Sequence, residues 1–498
     1  MAKFNAKGSL VDKTKTVNKE GGAAFSESPK VEFISTLLTT FLKDKFYESQ
    51  GETMRRLINL MNDIDDKKFL GKAAIYARTK FGMRSVSHFV AGEIAKNIKG
   101  EEWTKNFFDK IVYRPDDMLE ILAYYFNEVK ADTKGKRRQP PASVRKGFRK
   151  AIGKFNAYDL GKYRGESKTI GMVDLVNMIH PTPTETNGFA IGDLVNGTLK
   201  SKDTWETNLT QAGQKAVDVE DKMRKKAEVW VDLVGSKKIG YFALLRNLRN
   251  ILEQAPMMVD KAIEMLTEEK LIKKSLVLPF RYATAYKEIQ QVTFEGSAKV
   301  LKAISRAADI ALKNVPTFPG KNLIVLDGSG SMNGKPLDIG SLFSAVLLKA
   351  NENADFMAFA NEAKYMTFNS DDSVLSLSEK ISEQSHDCGG GTNFHSIFQT
   401  INKQYDRIII LSDMQGWMES SYGFSDGGAP TKTFAAYKTK YNTNPYVYSF
   451  NLNDYGTIQF PEKNVFCMAG WSEKVFDVMS ILESDKNALV NEVEKIQL

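Results

Sequence analysis

At Val315-Pro-Thr-Phe-Pro-Gly320 the hydrophobic period of the chain changes, and this change constrains the fold more than any other feature. Before it, apolar residues recur at spacings of three and four: Phe33, Leu37, Leu38, Phe41; Met54, Leu57, Ile58, Met61; Leu119, Leu122, Ala123, Phe126. The same spacing runs through Val229, Leu233, Leu244, Leu245, Leu248, Leu252, Ile263, Leu266, Leu271 and Ile272. This is the period of amphipathic helices. After the change, short apolar runs alternate with helical stretches: Asn322 to Leu326, Asp355 to Ala360, Arg407 to Ser412, Tyr446 to Phe450 and Asn464 to Met468. Strands separated by helices predict an α/β layer with a mostly parallel sheet.

The chain is therefore expected to be multidomain. A polar, glycine-containing lead over residues 1–28 precedes an all-α part over 29–315 and an α/β part over 316–498. The 498 residues are about three typical domains, and so long a helical stretch with short connections suggests stacked helix pairs of roughly 40 to 47 residues each. With 42% hydrophobic and 26% charged residues, a disordered, collagenous or coiled-coil chain is excluded.

Charge divides at the same place. Residues 316–498 carry 14 Lys and Arg against 22 Asp and Glu, a net of −8, whereas the helical part is at +16. The overall +8 is an average over two opposite surfaces, and the helical part is the candidate polyanion binder. Two cysteines, Cys388 and Cys467, supply neither a disulfide framework nor a CxxC metal site. The start MAKFNAKG lacks a secretion signal's apolar stretch, and no apolar run approaches the roughly 20 residues of a membrane span. A cytoplasmic protein without a membrane partner is expected.

The most specific chemistry lies where Asn322-Leu-Ile-Val-Leu326 runs into Asp327-Gly-Ser-Gly-Ser-Met332. Asp327, Ser329 and Ser331 emerge at the carboxyl end of a buried strand, where open α/β sheets bind ligands. Two glycines let these oxygens converge, and oxygen donors suit a hard cation such as Mg²⁺. A phosphate-binding Walker loop fails on spacing: Gly328 and Gly334 are one residue too far apart, and Lys335 is followed by Pro336. G-x-S-x-G fits neither serine.

The D-x-S-x-S pattern resembles the metal-ion-dependent adhesion site of von Willebrand factor A domains. That resemblance implies two further elements, a threonine and an aspartate from later loops. Thr392 follows Gly389-Gly-Gly, and Asp413 ends the run Ile408-Ile-Ile-Leu-Ser. Such a site binds an acidic ligand and catalyses nothing. His386, Asp387 and Cys388 lie just ahead of Thr392, but no second pair is spaced for zinc, and a structural role is expected.

In the helical part, Thr133 to Tyr158 contains no acid, while Lys134, Lys136, Arg137, Arg138, Arg145, Lys146, Arg149, Lys150 and Lys154 are all basic. Val144, Phe148, Ile152 and Phe155 form an apolar stripe, so a helix here carries a basic ridge above a buried seam. Such a ridge suits phosphate contacts. Lys162, Arg164, Lys168 and His180, and the segment Arg78-Thr-Lys-Phe-Gly-Met-Arg84-Ser-Val-Ser-His88, are further candidates.

Several segments together resemble the Ro autoantigen family, whose helical part is the TROVE domain. They are Ala77 to His88, Lys162-Tyr-Arg leading to Asp174-Leu-Val-Asn-Met-Ile-His180, Phe242-Ala-Leu-Leu-Arg-Asn-Leu248 and Lys273-Lys-Ser-Leu-Val-Leu-Pro-Phe280. The resemblance implies a ring of HEAT-like helical repeats closed by an A domain. It further implies binding of small structured Y RNAs on a basic outer surface, and of single-stranded 3′ ends of misfolded noncoding RNA in the ring. His180 and Lys162 match the family's RNA-contacting positions, and Arg246 and Arg249 are candidates inside the ring. A monomer, no catalytic residue, Mg²⁺ at the adhesion-type site, and an exoribonuclease reached through RNA complete the expectation. The alternative is an adaptor whose metal captures an acidic protein ligand. A hydrolase using Asp327 and Asp413 is disfavoured, since four histidines, none paired at catalytic spacing, leave no general base.

Overall fold

The computed structural model describes residues 15–19, 21–26, 28–40, 42, 49–129, 139–165, 168–199, 205–292, 295–416, 430–453, 457–459, 465–468, 479 and 488–498. It contains two compact units: residues 1–19, 24–202 and 451–498, and residues 20–23 and 203–450. The helical half is thus shared out between them, and the units do not follow the change of period at 315.

The first unit is a stack of helices. Gln50–Asp63 opens with a capping box, in which Ser49 Oγ accepts from the Glu52 amide at 3.3 Å and Glu52 Oε2 accepts from the Ser49 amide at 2.7 Å. Its buried face is Thr53, Leu57, Leu60 and Met61. Lys67–Lys80, Ser85–Asn97, Trp103–Lys110, Pro115–Glu128 and Ala142–Ile152 follow, each burying the apolar stripe its spacing predicts. Phe107, Phe108 and Phe148 are fully buried and pack edge to face, each burial contributing about 1.5–3 kcal/mol. The basic helix Ala142–Ile152 lies so close to Trp103–Lys110 that a Cβ on Gly147 would come within 2.5 Å of Phe108 Cβ. Gly147 fixes where the basic face points.

The C-terminal helix Ala488–Glu494 returns to this unit. Glu494 pairs with Lys30 at 3.0 Å and Lys72 at 2.7 Å, and Lys110 Nζ donates to the Gln497 carbonyl at 2.8 Å. The N-terminal lead also contributes structure: Lys15–Val17 and Ala23–Ser26 are strands, the second pairing antiparallel with Thr457–Ile458. The polar lead and an all-helical first half predicted no strand there; these segments are only three and four residues long, and a ladder with a partner over 400 residues away leaves no local period.

The second unit combines the helices Trp205–Gln214 to Ser297–Ala311 with a sheet. Strand order is Ala363–Met366, Ala354–Phe359, Asn322–Asp327, Arg407–Ser412, Tyr446–Asn451. Asn322–Asp327 pairs parallel with both neighbours, Leu326 opposite Ala358 on one side and Leu411 on the other. Ala363–Met366 is an antiparallel edge strand. Four of these strands match their expected runs within one residue at either end, Asn322–Asp327 and Arg407–Ser412 being buried throughout, and Val465–Met468 is also a strand. Phe280 stacks on Phe343 at 4.9 Å, and Asp309 Oδ1 accepts from the Val374 amide at 2.8 Å, so helices before 315 pack directly on the α/β layer. Among the described residues no helix is long and apolar enough to cross a membrane.

Candidate nucleic-acid interface and cation site

The basic face of the first unit is built in two stretches. In the first, Arg84 Nη2 and Arg114 Nη2 both reach Asp116 Oδ2, at 2.6 and 3.0 Å. The Arg114 guanidinium lies 4.5 Å from the centre of the Tyr163 ring, and Lys162 Nζ lies 5.8 Å from the rings of both Tyr158 and Tyr163. Arg84 and Lys162, distant in sequence, thus share one surface of interleaved cations and aromatics, the composition that binds nucleic acid through phosphates and stacked bases. Arg114, Tyr158 and Tyr163 were not singled out from the sequence; the Lys162-Tyr-Arg segment was the available signal.

Under this surface Asp117 is fully buried. Its carboxylate lies 3.0 Å from Arg78 Nη2 and 2.8 Å from His88 Nε2, and accepts from the amides of Tyr113 and Arg114 at 2.9 and 2.8 Å. Burial alone would raise its pKa, but the His88 contact and the Arg78 charge outweigh it and hold the carboxyl at about 2. His88 is itself buried at 7% exposure. This corrects its assignment as an RNA contact: the ring is committed to the core, and only Arg84 of that pair reaches solvent.

The second stretch is the basic helix Ala142–Ile152. Lys146, Arg149 and Lys150 are exposed and Arg145 half-buried above the seam of Val144, Phe148, Ile152 and Phe155. The ridge is less free than its acid-free sequence implies. Lys150 and Lys154 clasp Asp109 at 2.8 and 2.6 Å, and although burial raises the Asp109 pKa, the two lysines bring it below the usual value. Arg149 Nε donates to the Ile179 carbonyl at 2.7 Å. Arg145 and Lys146 have no acidic partner among the described residues, and Arg145 Nε is buried without a hydrogen bond. Arg137 and Arg138 lie outside the described residues.

His180 caps the helix Met172–Ile179 in the left-handed conformation, φ +46°, and is exposed. Arg164 and Lys168 line a cavity of about 310 Å³ with Gly171, Met172 and Val195, and Lys168 pairs with Glu120. In the second unit Arg246 is exposed beside Phe242, whereas Arg249 is taken up by Glu253 at 2.9 Å and Glu288 at 3.7 Å.

The oxygen cluster sits where the sheet's chain order reverses. From Asn322–Asp327 the chain crosses to Ala354–Phe359 on one side and later to Arg407–Ser412 on the other, so Asp327 ends the strand at the topological switch point. Asp327, Ser329, Ser331, Thr392 and Asp413 are all buried. Ser329 Oγ and Ser331 Oγ are 3.4 Å apart, and Ser412 Oγ donates to Asp327 Oδ2 at 2.5 Å. The Gly330 amide donates to the Gly390 carbonyl at 3.1 Å, tying this loop to the one that carries Thr392. Gly328 permits the approach, since a Cβ there would meet the Ser385 carbonyl oxygen at 2.1 Å. Burial pushes the Asp327 carboxyl up to about 6, despite the hydroxyls of Ser412 and Ser329 and the Ser329 amide acting to lower it. Asp327, Ser329 and Ser331 on one loop, with Thr392 and Asp413 buried on the neighbouring loop and strand end, are oxygen donors of the kind a hard divalent cation takes. Among the described residues no group of three His, Cys, Asp or Glu forms a metal cluster, and Cys388 is a buried free thiol.

The TROVE domain profile matches residues 35–187 and 197–317, more than half of the chain. The chain belongs to the TROVE-domain family. The resemblance to Ro proteins read from the sequence is borne out. The TROVE-domain chain shares its fold with the crystal structure of the Deinococcus radiodurans RO (RSR) protein, with a TM-score of 0.61 at 16% identity over 93% of this chain and 100% of that one. Telomerase protein component 1 of Mus musculus is 21% identical over 311 residues, and that of Rattus norvegicus 20% over 307. Each match covers 46% of this chain and 11% of the relative, so the chain spans about a tenth of the length of these proteins.

Proposed function

We propose that this is a non-catalytic cytoplasmic protein of RNA quality control. It binds a small structured noncoding RNA of the Y-like kind on the basic face of its first unit, and takes single-stranded 3′ ends of misfolded RNA. The observation that carries the reading is the junction of Arg84, Arg114, Tyr163 and Lys162 on one surface, with Arg145 and Lys146, neither with an acidic partner among the described residues, on the neighbouring basic helix. Phosphates are neutralised by the cations, and unpaired bases stack on the tyrosines. For single strands, Phe242 is exposed between the guanidiniums of Arg246 and Arg281, each 5.8 Å from its ring, and neither has an acidic partner among the described residues. An exoribonuclease is a partner reached through the bound RNA.

The test is Arg145→Glu with Lys146→Glu, measured as RNA retention at two salt concentrations. The expected result is weaker binding and a log affinity against log salt slope lower by about 2. Unchanged affinity and slope sink the reading.

A second reading is favoured by the buried oxygen cluster. Asp327, Ser329, Ser331, Thr392 and Asp413 would hold Mg²⁺, and a position left on the cation would accept a carboxylate from an acidic protein ligand. When bound, the cation supplies positive charge at the end of the sheet. The residues themselves orient the site: Ser412 fixes one Asp327 oxygen and the Ser329 amide, at 2.9 Å, the other. RNA capture without divalent dependence, beside metal-dependent protein capture, would place the two functions in separate units of one monomer.

A further inference from the structure

We infer that Phe189 is a stacking surface for an unpaired nucleobase of the RNA held by the basic helix; the inference rests on the RNA-binding reading above. Phe189 is 90% exposed, among the most exposed large apolar side chains of the described residues. A single exposed hydrophobic residue is ordinary on a protein surface. What distinguishes this one is the rigidity and the charge of the segment that carries it.

The segment from His180 to Phe189 is pinned at both ends to the basic helix and the residues just after it. At its start Arg149 Nε holds the Ile179 carbonyl at 2.7 Å, directly before His180. At its far end Thr184 Oγ1 donates to the Gly153 carbonyl at 3.2 Å, and Asn187 Nδ2 to the Ile152 carbonyl at 3.4 Å. The turn closes on itself through the Thr184 amide to Asn187 Oδ1 at 2.8 Å and the Gly188 amide to the Thr184 carbonyl at 2.7 Å. Gly188 adopts φ +46°, which a glycine takes without strain, and Phe189 leaves the turn as the residue before the helix Ala190–Val195. The ring is thus presented from an ordered backbone, so little conformational entropy is lost when a flat partner covers it.

The surroundings decide what that partner is. Lys146 and Arg149 are exposed on the helix to which the turn is fastened, and His180 opens the turn. The turn carries one acid, the exposed Glu185, and in the following helix Asp193 accepts from the Thr198 hydroxyl at 3.2 Å. An aromatic face on a turn fastened to a cationic helix suits a nucleobase whose flanking phosphates reach that helix, because every base offers a π-face and each stacked base is worth a substantial share of affinity. A docking helix of another protein would instead require a continuous apolar face without a cationic border.

The test uses the full chain with Phe189→Ala and Phe189→Trp, and two probes of equal charge: an RNA hairpin with an unpaired loop and tail, and a fully paired RNA duplex. Expected are an about ten-fold loss for Phe189→Ala on the hairpin, no loss on the duplex, and quenching of the added indole of Phe189→Trp by the hairpin. Circular dichroism like that of the unaltered chain keeps folding out of the comparison. Wild-type affinity of Phe189→Ala for both RNAs, or an unquenched indole, overturns the stacking assignment. If this happens while Arg145→Glu with Lys146→Glu does lose RNA, the RNA-binding reading stands without Phe189; if that variant also binds normally, the reading itself has failed. Loss of a protein partner with RNA binding intact overturns the inference in favour of a docking surface.

Discussion

Arg149 donates from Nε to the carbonyl oxygen of Ile179 at 2.7 Å, and so holds the end of the Met172–Ile179 helix where His180 turns left-handed into solvent. A residue that the basic ridge nominates as a phosphate contact is also the fastening of the next candidate along. The two roles separate in a double-mutant cycle. Arg149→Ala and His180→Ala are expected to weaken RNA binding by less together than the sum of each alone, with a coupling of about 0.5–2 kcal/mol in filter binding. Strict additivity would show that Arg149 acts only as a charge.

The buried Asp117 makes the first unit acid-sensitive. Its folded pKa, about 2, lies below the ordinary 3.8, so the carboxylate contributes stability that is complete above pH 4 to 5 and is lost as pH falls through 3 toward 2. Two pH units correspond to on the order of 2 kcal/mol. Asp117→Asn keeps the shape but leaves Arg78 buried without its counter-charge, and is expected to cost about 3–5 kcal/mol at pH 7. Chemical denaturation at pH 7 and pH 3 measures both, and the variant should show a shallower loss between them.

Glu494 joins the C-terminal helix to Lys30 and Lys72. Burial raises its pKa, but the hydrogen bonds from Lys72 and Lys30 outweigh this and bring it below the usual value. All three groups are partly exposed, so solvent screening keeps the contribution near 1 kcal/mol. Glu494→Gln is expected to speed amide hydrogen exchange in residues 488–494 several-fold while leaving Ser85–Asn97 unchanged, and 1 M salt should bring the unaltered protein part of the way to the same state.

How much of this was legible follows from how local each signal is. Strands buried on both faces, such as Leu323 to Leu326 and Ile408 to Leu411, announce themselves as apolar runs, and the stripe under the basic helix repeats every turn. Asp327, Ser329 and Ser331 were readable because three donors lie within five residues. The edge strand Ala363–Met366 was not, since a short, half-exposed strand carries no apolar run. His88 could not be placed, because burial depends on Asp117, 29 residues on, and the freedom of Lys150 and Lys154 depends on Asp109, some 40 residues back. Long-range ion pairs decide which cations remain for a ligand, and the spacing of charges in the sequence does not encode them.

The oxygen cluster at the end of the sheet yields the sharpest expectation about a cation. With its folded pKa raised to about 6, Asp327 favours the native state only while protonated: that contribution is full below pH 3.8 and lost as pH rises through 6, so at pH 8 the metal-free site carries an uncompensated buried charge. Asp327→Asn removes the charge and keeps both polar atoms, one facing Ser412 Oγ and one facing the Ser329 amide. In a chelator at pH 8 the variant is therefore expected to melt a few degrees higher than the unaltered protein. Millimolar Mg²⁺ should reverse the order, raising the melting temperature of the unaltered protein alone, because only its carboxylate gains a counter-charge. At pH 5 the difference in chelator should fall to roughly half, because the unfolded carboxyl still ionises above 3.8 while the folded one is mostly protonated. A scan of melting temperature at the two pH values, with and without Mg²⁺, checks all three outcomes. An unaltered protein insensitive to Mg²⁺ at pH 8 would show that the cluster is a buried hydrogen-bonded turn and not a cation site.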